Sequence, residues 1–246
     1  MNIILVGANG TMGHVLREVS MERNINIVCG IEKEKDMSGN FPIYEDFSKV
    51  KEEGDLIIDF SIPENIKNIL DFAIEKDLPL VLATTGYNED EEELIKDASN
   101  KIPILKSGNM SLGINLMNNL VKEMTKVLKD FDIEIIEAHH NKKVDAPSGT
   151  ANMLLESVKD ERKINRIIYG RNGRNEKREV DDVGIHSIRG GSVVGEHSVL
   201  FLGDDEILEI KHTALSKKIF ANGALDGGEF IVNMDRGLYT MDDVIG

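Results

Sequence analysis

Across residues 1–109, short runs of Ile, Val and Leu alternate with longer polar stretches of helical period, and this alternation restricts the fold more than any other feature of the chain. The runs "NIILVG", "INIVCGIE", "DLIIDFS", "PLVLATTG" and "PILKSG" are apolar along most of their length, which suits strands buried on both faces. Between two of them, segment 63–77 repeats Ile66, Ile69, Leu70, Ala73 and Ile74 at three- and four-residue spacing behind Pro63 and Glu64, the pattern of a crossover helix. The stretch "NEDEEELIKDASNK" is acidic in its first turn and carries lysine later, the order a helix dipole favours. The expected architecture is a parallel sheet covered by helices.

After "LKSGNMSLG" the pattern changes. A helix-like segment, 112–129, leads to "FDIEIIEAHH", and a helix begins at about Ser148. The runs "NRIIYG", "VGIHSIRGG", "SVVGEHSVLFLG" and "EILEIKHTA" then follow without long helices between them. This marks a second, α+β domain carrying an open antiparallel or mixed sheet, whose uncovered face a second subunit could shield, so a homo-oligomer is expected. Loop 171–182, "RNGRNEKREVDD", is expected to be solvated and mobile. "LSKKIFANGALDGGEF" reads as a helix, and "IVNM" could add one more strand to the first sheet. The expected domains are 1–109 plus 216–246, and 110–215.

A formal net charge of -15 opposes attraction to a nucleic-acid backbone or an anionic membrane, so neither is an expected partner. Cys29 is the single cysteine; it excludes an internal disulfide, and its apolar setting suits a buried small hydrophobe in a reducing cytoplasm. "MNIILVGANG" has no basic leader region, and no apolar run approaches the roughly 20 residues of a membrane span, so a soluble, unprocessed, cytoplasmic chain is expected.

"ILVGANGTMGHVL" places Gly7, Gly10 and Gly13 between a strand and a helix, where N–H groups and the positive helix end can hold a pyrophosphate. The spacing G-x-x-G-x-x-G is less specific than G-x-G-x-x-G, and a tight turn without a ligand is the competing reading. The second strand ends in Glu32, near where an acid meets an adenosine ribose in a Rossmann-like domain, and Lys33 follows it. The carboxylate favours an unphosphorylated ribose and the cation a 2′-phosphate, so NADH, NADPH or both fit; an exposed charged loop, "EKEKD", is the alternative. "ATTG" at 83–86 and "SGNM" at 107–110 follow two further strands, at the carboxyl ends where such sheets bind ligands.

"EAHHNKKVDAPSGTA", 137–151, concentrates histidines and cations within an acidic chain. In a strand, His139 and His140 point to opposite faces and make poor co-ligands, and His14, His186, His197 and His212 show no paired ligand spacing, so no metal site is expected. His197 reads as a core or rim residue. A histidine can give a proton near neutral pH, and Lys142 and Lys143 can stabilise negative charge. Pro147, Ser148, Gly149 and Thr150 form a helix start suited to capping or to holding a carboxylate. Asp145 is expected to orient the turn or a lysine.

Together, "VGANGTMG", "DFS-P" at 59–63, "TTG" at 84–86, "EAHHNKKVDAPSGTA", "GIHSIRGGSVVGEH" and "FANGAL" resemble, along essentially the whole chain, the 4-hydroxy-tetrahydrodipicolinate reductase (dihydrodipicolinate reductase) family. The resemblance implies that Gly7, Ala8, Asn9, Gly10, Thr11 and Met12 cradle a dinucleotide pyrophosphate and that Glu32 and Lys33 meet the adenosine ribose. It places Ala83, Thr84, Thr85, Ser107, Gly108, Asn109 and Met110 near the nicotinamide half. It makes His139 the proton-transfer residue, Lys143 the second catalytic cation, and His140, Ser148, Gly149 and Thr150 ligands of a small cyclic dicarboxylate. NADH or NADPH as hydride donor, a role in lysine and diaminopimelate biosynthesis, and a homotetramer are likewise implied. Ala83 stands where the family often has Gly, and Lys33 replaces a common Arg; lysine lacks the bidentate guanidinium fork, which leaves the preference between NADPH and NADH open. Another two-domain nicotinamide dehydrogenase, or a dinucleotide-sensing protein without catalysis, would share the glycine turn but not the histidine block.

Overall fold

A computed structural model describes residues 1–33, 40–174 and 177–246. The charged positions Glu34, Lys35 and Asp36 therefore lie outside the described residues. The chain divides into two compact units, Met1–Leu112 with Lys217–Gly246, and Gly113–Ser216.

In the first unit the order is β1 (Asn2–Val6), α1 (Thr11–Glu22), β2 (Asn26–Ile31), β3 (Ile43–Tyr44), β4 (Leu56–Asp59), α2 (Ile66–Lys76), β5 (Leu80–Leu82), α3 (Glu89–Ser99) and β6 (Pro103–Lys106). The C-terminal part returns to this unit, as described below. All strand pairs in its seven-stranded sheet are parallel, and the order is β12-β6-β5-β4-β1-β2-β3. Pleat alternation sorts the apolar runs onto two faces. Ile3, Leu5, Ile58 and Val81 pack with Leu16 and Val19 of α1 on one side; Ile4, Val6, Ile57 and Leu82 pack with Ile69 and Ala73 of α2 and Ile95 of α3 on the other. Asn88 caps α3 in a reciprocal box with Glu91.

The second unit contains α4 (Leu112–Val127), β7 (Asp132–His139), α5 (Gly149–Glu161), β8 (Arg166–Tyr169), β9 (Asp182–Arg189), β10 (Gly195–Leu202) and β11 (Ile207–Ala214). Its sheet is mixed, in the order β11-β10-β7-β9-β8, with β10 antiparallel to β7 and β11 and β9 parallel to β7 and β8. Ile133, Ile135, Val183, Ile185, Val199 and Phe201 face Ile114, Val121, Leu154 and Val158 of α4 and α5. The opposite face leaves Ile188 and Ile207 more than half exposed.

The chain then forms α6 (Lys218–Ile231), β12 (Gly237–Tyr239) and α7 (Met241–Ile245). "IVNM" is not a strand: Ile231 is the last residue of α6, buried at helical spacing with Ala224 and Gly228, and β12 supplies the seventh strand instead. Segment 171–182 is exposed at Asn172, Gly173, Arg174, Lys177, Glu179 and Val180, as a solvated loop should be, but is tied down at Arg171, Arg178 and Asp182. Arg171 and Arg178 both pair with Glu134 of β7, Arg178 also reaches Asp132, and Asp182 is buried against Arg166; Asn175 and Glu176 lie outside the described residues. The Glu134 carboxylate on the sheet holds Arg171 and Arg178 where the composition suggested open solvent. Among the described residues no helix is long and apolar enough to cross a membrane.

Candidate active site

Every residue expected to hold a nucleotide lies at the carboxyl edge of the first sheet, because β1, β2, β5 and β6 end at Val6, Ile31, Leu82 and Lys106 immediately before them. The strand order reverses between β1 and β4, where the crevice of such a sheet opens. The turn after β1 is tight. Gly7 adopts φ +77° and donates its N–H to the Ile31 carbonyl at 3.0 Å, and a Cβ on it would stand 2.6 Å from the Phe60 carbonyl oxygen. A Cβ on Gly13 would lie 2.3 Å from the Gly7 oxygen, so glycine there lets α1 start hard against the turn. The Ala8 and Gly10 amides also serve the turn, leaving the first helical amides, those of Thr11, Met12 and Gly13, as the donors that can face an anion.

Beside this turn a cleft of about 700 Å³ is lined by Gly7, Gly10, Glu32, Lys33, Asp46 and Phe60, among others. Glu32 accepts from the backbone N–H of Lys33 at 3.0 Å and of Asn9 at 3.4 Å, which aims its carboxylate across the end of β2. Glu45 and Asp46 add acidic groups, both paired with Lys49. Buried Asp59 ties two loops of the same edge together, accepting from Ser61 N–H at 2.9 Å and the Tyr87 hydroxyl at 3.4 Å. Burial pushes the Asp59 carboxyl up, against these hydrogen bonds. Ser107 Oγ and the Asn109 backbone fold 107–110 into a closed turn, and a Cβ on Gly223 of α6 would collide with the Met110 carbonyl.

In the second unit the histidine segment separates as strand geometry requires. His139 ends β7 on the buried face, and His140 follows half-buried. His139 Nδ1 lies 2.6 Å from Glu137 Oε2, two residues back on the same face. Glu137 is fully buried; it also receives both terminal nitrogens of Arg189 at 2.7 Å and the Ser148 N–H at 3.2 Å. Burial would raise its carboxyl, but hydrogen bonds from Arg189, Ser187 and His139 outweigh that and bring it down to about 2. His197 of β10 packs edge-on against His139, ring centroids 5.1 Å apart, and its Nε2 lies 2.9 Å from Ser148 Oγ. Burial first, then repulsion from His139, lowers His197 to about 4, so it is neutral at physiological pH. Lys143 Nζ pairs with Asp145 Oδ1 at 2.7 Å, which fixes the lysine within its loop.

The expected substrate ligands divide. Gly149 and Thr150 begin α5 and contribute its first-turn amides. Ser148 does not fit a direct ligand's part in this arrangement: it is buried, its N–H is given to Glu137, and its Oγ accepts from Ala151 N–H and meets His197. Glu137 and Arg189, which sequence reasoning did not name, and His197, which it read as a core or rim residue, join the candidate site; period-two alternation from His139 already points to Glu137.

Glu137, Asp182 and His197 carry an acid sensitivity of definite sign. Hydrogen bonds from Arg166 and the Glu179 backbone hold Asp182 at about 2. For all three groups the unfolded chain binds more protons than the folded one, so stability falls on acidification. The His197 contribution is lost between pH 6.5 and about 4, those of Glu137 and Asp182 between about 4.5 and 2. Urea midpoints of the wild type should therefore decline more steeply from pH 7 to 5 than those of His197→Gln; equal slopes would contradict the assignment.

Comparison with known proteins covers both units. The family model described as dihydrodipicolinate reductase, N-terminus, matches residues 1–110, and that for the C-terminus matches residues 113–245. A 4-hydroxy-tetrahydrodipicolinate reductase of Clostridium tetani is 49% identical over 98% of this chain and 95% of the relative, and one of Clostridium novyi 47% identical over 99% and 97%. Among solved structures, a dipicolinate-bound dihydrodipicolinate reductase from Paenisporosarcina sp. TG-14 superposes with a TM-score of 0.81 at 20% identity, covering 98% of this chain and 97% of that one. A myo-inositol dehydrogenase from Corynebacterium glutamicum, at 15% identity and TM-score 0.62, shares the fold over 100% of this chain and 92% of its own.

Proposed function

The chain belongs to the dihydrodipicolinate reductase family, and from that premise we propose how its own residues perform the reaction. It is an NAD(P)H-dependent oxidoreductase that reduces 4-hydroxy-tetrahydrodipicolinate to tetrahydrodipicolinate in lysine and diaminopimelate biosynthesis. The glycine turn fits a dinucleotide: Gly7 and Gly13 let the turn pack against the Phe60 backbone and α1 start against the turn more closely than a Cβ at either position would allow, which presents the first helical amides at the carboxyl edge of the sheet. Gly7 to Met12 would hold the pyrophosphate, Glu32 and Lys33 the adenosine ribose, and 83–85 with 107–110 the nicotinamide half. When bound, the nicotinamide supplies the hydride.

The chain's residues supply the rest. The substrate loses water to a conjugated imine, which then takes up a hydride at a ring carbon and a proton at the adjacent one. His139 delivers that proton and Lys143 stabilises negative charge as it develops. His140, Gly149 and Thr150 hold the carboxylates. The observation that carries this reading is Glu137: one buried carboxylate holds both His139 Nδ1 and the Ser148 N–H that precedes α5, so the proton donor and the positive helix end are fixed together.

Mixing the protein with NADH or NADPH and the freshly generated condensation product of pyruvate and aspartate semialdehyde should consume reduced nicotinamide absorbance. Folded protein that oxidises neither cofactor would sink the reading. The Glu32 carboxylate at the end of β2 supports NADH as the better ligand, since a 2′-phosphate there faces like charge, whereas Glu45 and Asp46 are paired with Lys49. Glu32→Ser should accordingly tighten NADPH relative to NADH in a fluorescence titration, and an unchanged ratio would argue against that role. The exposed Ile188 and Ile207 support self-association through the open sheet face, and the family resemblance implies a homotetramer, which light scattering would read directly. A cytoplasmic location accompanies this biosynthetic role.

A further inference from the structure

We infer that Glu137, clamped by Arg189, is a positioning residue that fixes the tautomer of His139, so that the proton passes to substrate from Nε2. The inference rests on the reading of His139 as the proton-transfer residue and adds to it a residue on each of two strands.

The geometry is closed around one side of the ring. Arg189 sits on β9 directly opposite His139 in the parallel register, and Glu137 stands opposite Ser187. Both terminal nitrogens of Arg189 grip the two carboxylate oxygens of Glu137 at 2.7 Å, and Arg189 NH2 also donates to the Asp145 carbonyl at 2.6 Å. That fork leaves Glu137 little freedom to rotate. The other partners of the carboxylate donate too: Ser148 N–H at Oε1, His139 Nδ1 at Oε2, and the Ser187 side chain. A fully buried carboxylate brought down to about 2 is ionised near neutral pH and can only accept, so the 2.6 Å contact places a proton on Nδ1. Nε2 is then the nitrogen that exchanges. It lies beside Gly195 of β10, where an added Cβ would stand 3.1 Å away, so glycine keeps the space next to that atom open. His197 braces the other edge of the ring and is itself held through Ser148. A carboxylate behind an imidazole, orienting it without taking its proton, is the arrangement by which serine hydrolases set their histidine tautomer.

Glu137→Gln tests the role because an amide NH2 must face a donor whichever way it turns: His139 Nδ1 and Arg189 on one side, Ser148 N–H and Arg189 on the other. The expected result is a fall in kcat of about 10²- to 10⁴-fold. Substrate KM and the NADH dissociation constant should change by less than about threefold. Glu137→Gln that keeps wild-type kcat overturns the inference while leaving the reductase reading intact. The wild type itself supplies the second measurement, which does not depend on how the variant folds. In ¹⁵N spectra of histidine-labelled protein, the resonance lost in His139→Gln should show the neutral ring protonated at Nδ1. A neutral ring protonated at Nε2 overturns the inference. Wild-type protein that consumes no reduced nicotinamide would instead refute the functional reading and leave the tautomer result standing on its own.

Discussion

His139→Ala should lower kcat by about 10²- to 10⁴-fold, the range a positioned general acid contributes, while the NADH dissociation constant stays close to wild type. The two effects separate because of where the residues lie. His139 ends β7 in the second unit, whereas the glycine turn, Glu32 and the strand-end loops expected to hold the nucleotide all belong to the first. Removing the ring takes one donor from Glu137 but leaves it Arg189 and Ser148, so the buried carboxylate keeps partners. The stability cost should stay near that of one lost charge-assisted hydrogen bond, about 1.5–3 kcal/mol, and His139→Gln gives a variant with less cavity. Kinetics at saturating substrate together with an NADH fluorescence titration decide the matter. Lost NADH affinity with turnover per bound cofactor unchanged would contradict the assignment. His140→Ala provides the contrast: His140 is half-buried beyond the end of β7, and as a substrate ligand it should raise KM more than it lowers kcat.

The two histidines show how far the sequence could be read. Period-two alternation separates their faces but does not say which face is the working one, since that depends on what lies opposite. What favours the His139 face is Arg189 and His197, some fifty residues further along the chain, brought beside His139 by strand register. Register between strands so distant in sequence leaves no local trace. The parallel sheet was legible because continuous apolar runs and helical spacing are local patterns, as in β4 followed by α2. β3 and β12, of two and three residues, are too short to carry any periodicity. The partners of Ser148 were hidden for a related reason. Pro-Ser-Gly-Thr declares a helix start, and the cap is there, but the Oγ partner is His197 on another strand. Arg171 and Arg178 looked solvated because composition alone cannot reveal a carboxylate such as Glu134 waiting on the sheet beneath them.

The glycines of the first turn allow packing and ligand approach to be tested apart. Gly13→Val should cost stability and nucleotide affinity together. A Cβ at Gly13 would stand 2.3 Å from the Gly7 oxygen, 2.5 Å from the Ala8 oxygen and 2.7 Å from the Ala8 carbonyl carbon. All three are backbone atoms, so no rotamer change relieves the overlap and α1 must move away from the turn. That movement loosens Leu16 and Val19, which are fully buried against the sheet, and displaces the amides of Thr11 and Met12. Overpacking of this kind costs about 1–3 kcal/mol, and a comparable loss in binding would raise the NADH dissociation constant by about 10- to 100-fold. Gly10→Ala should behave differently. Gly10 has φ -69°, which alanine adopts readily, and its nearest obstacle to a Cβ is the Gly7 oxygen at 3.3 Å. Its urea midpoint should therefore stay near wild type, while any loss of NADH affinity reports the methyl group meeting the dinucleotide itself. If Gly13→Val left NADH affinity unchanged, the seating of α1 would not be what presents those amides. If Gly10→Ala bound NADH normally, the pyrophosphate would not approach the turn at that residue.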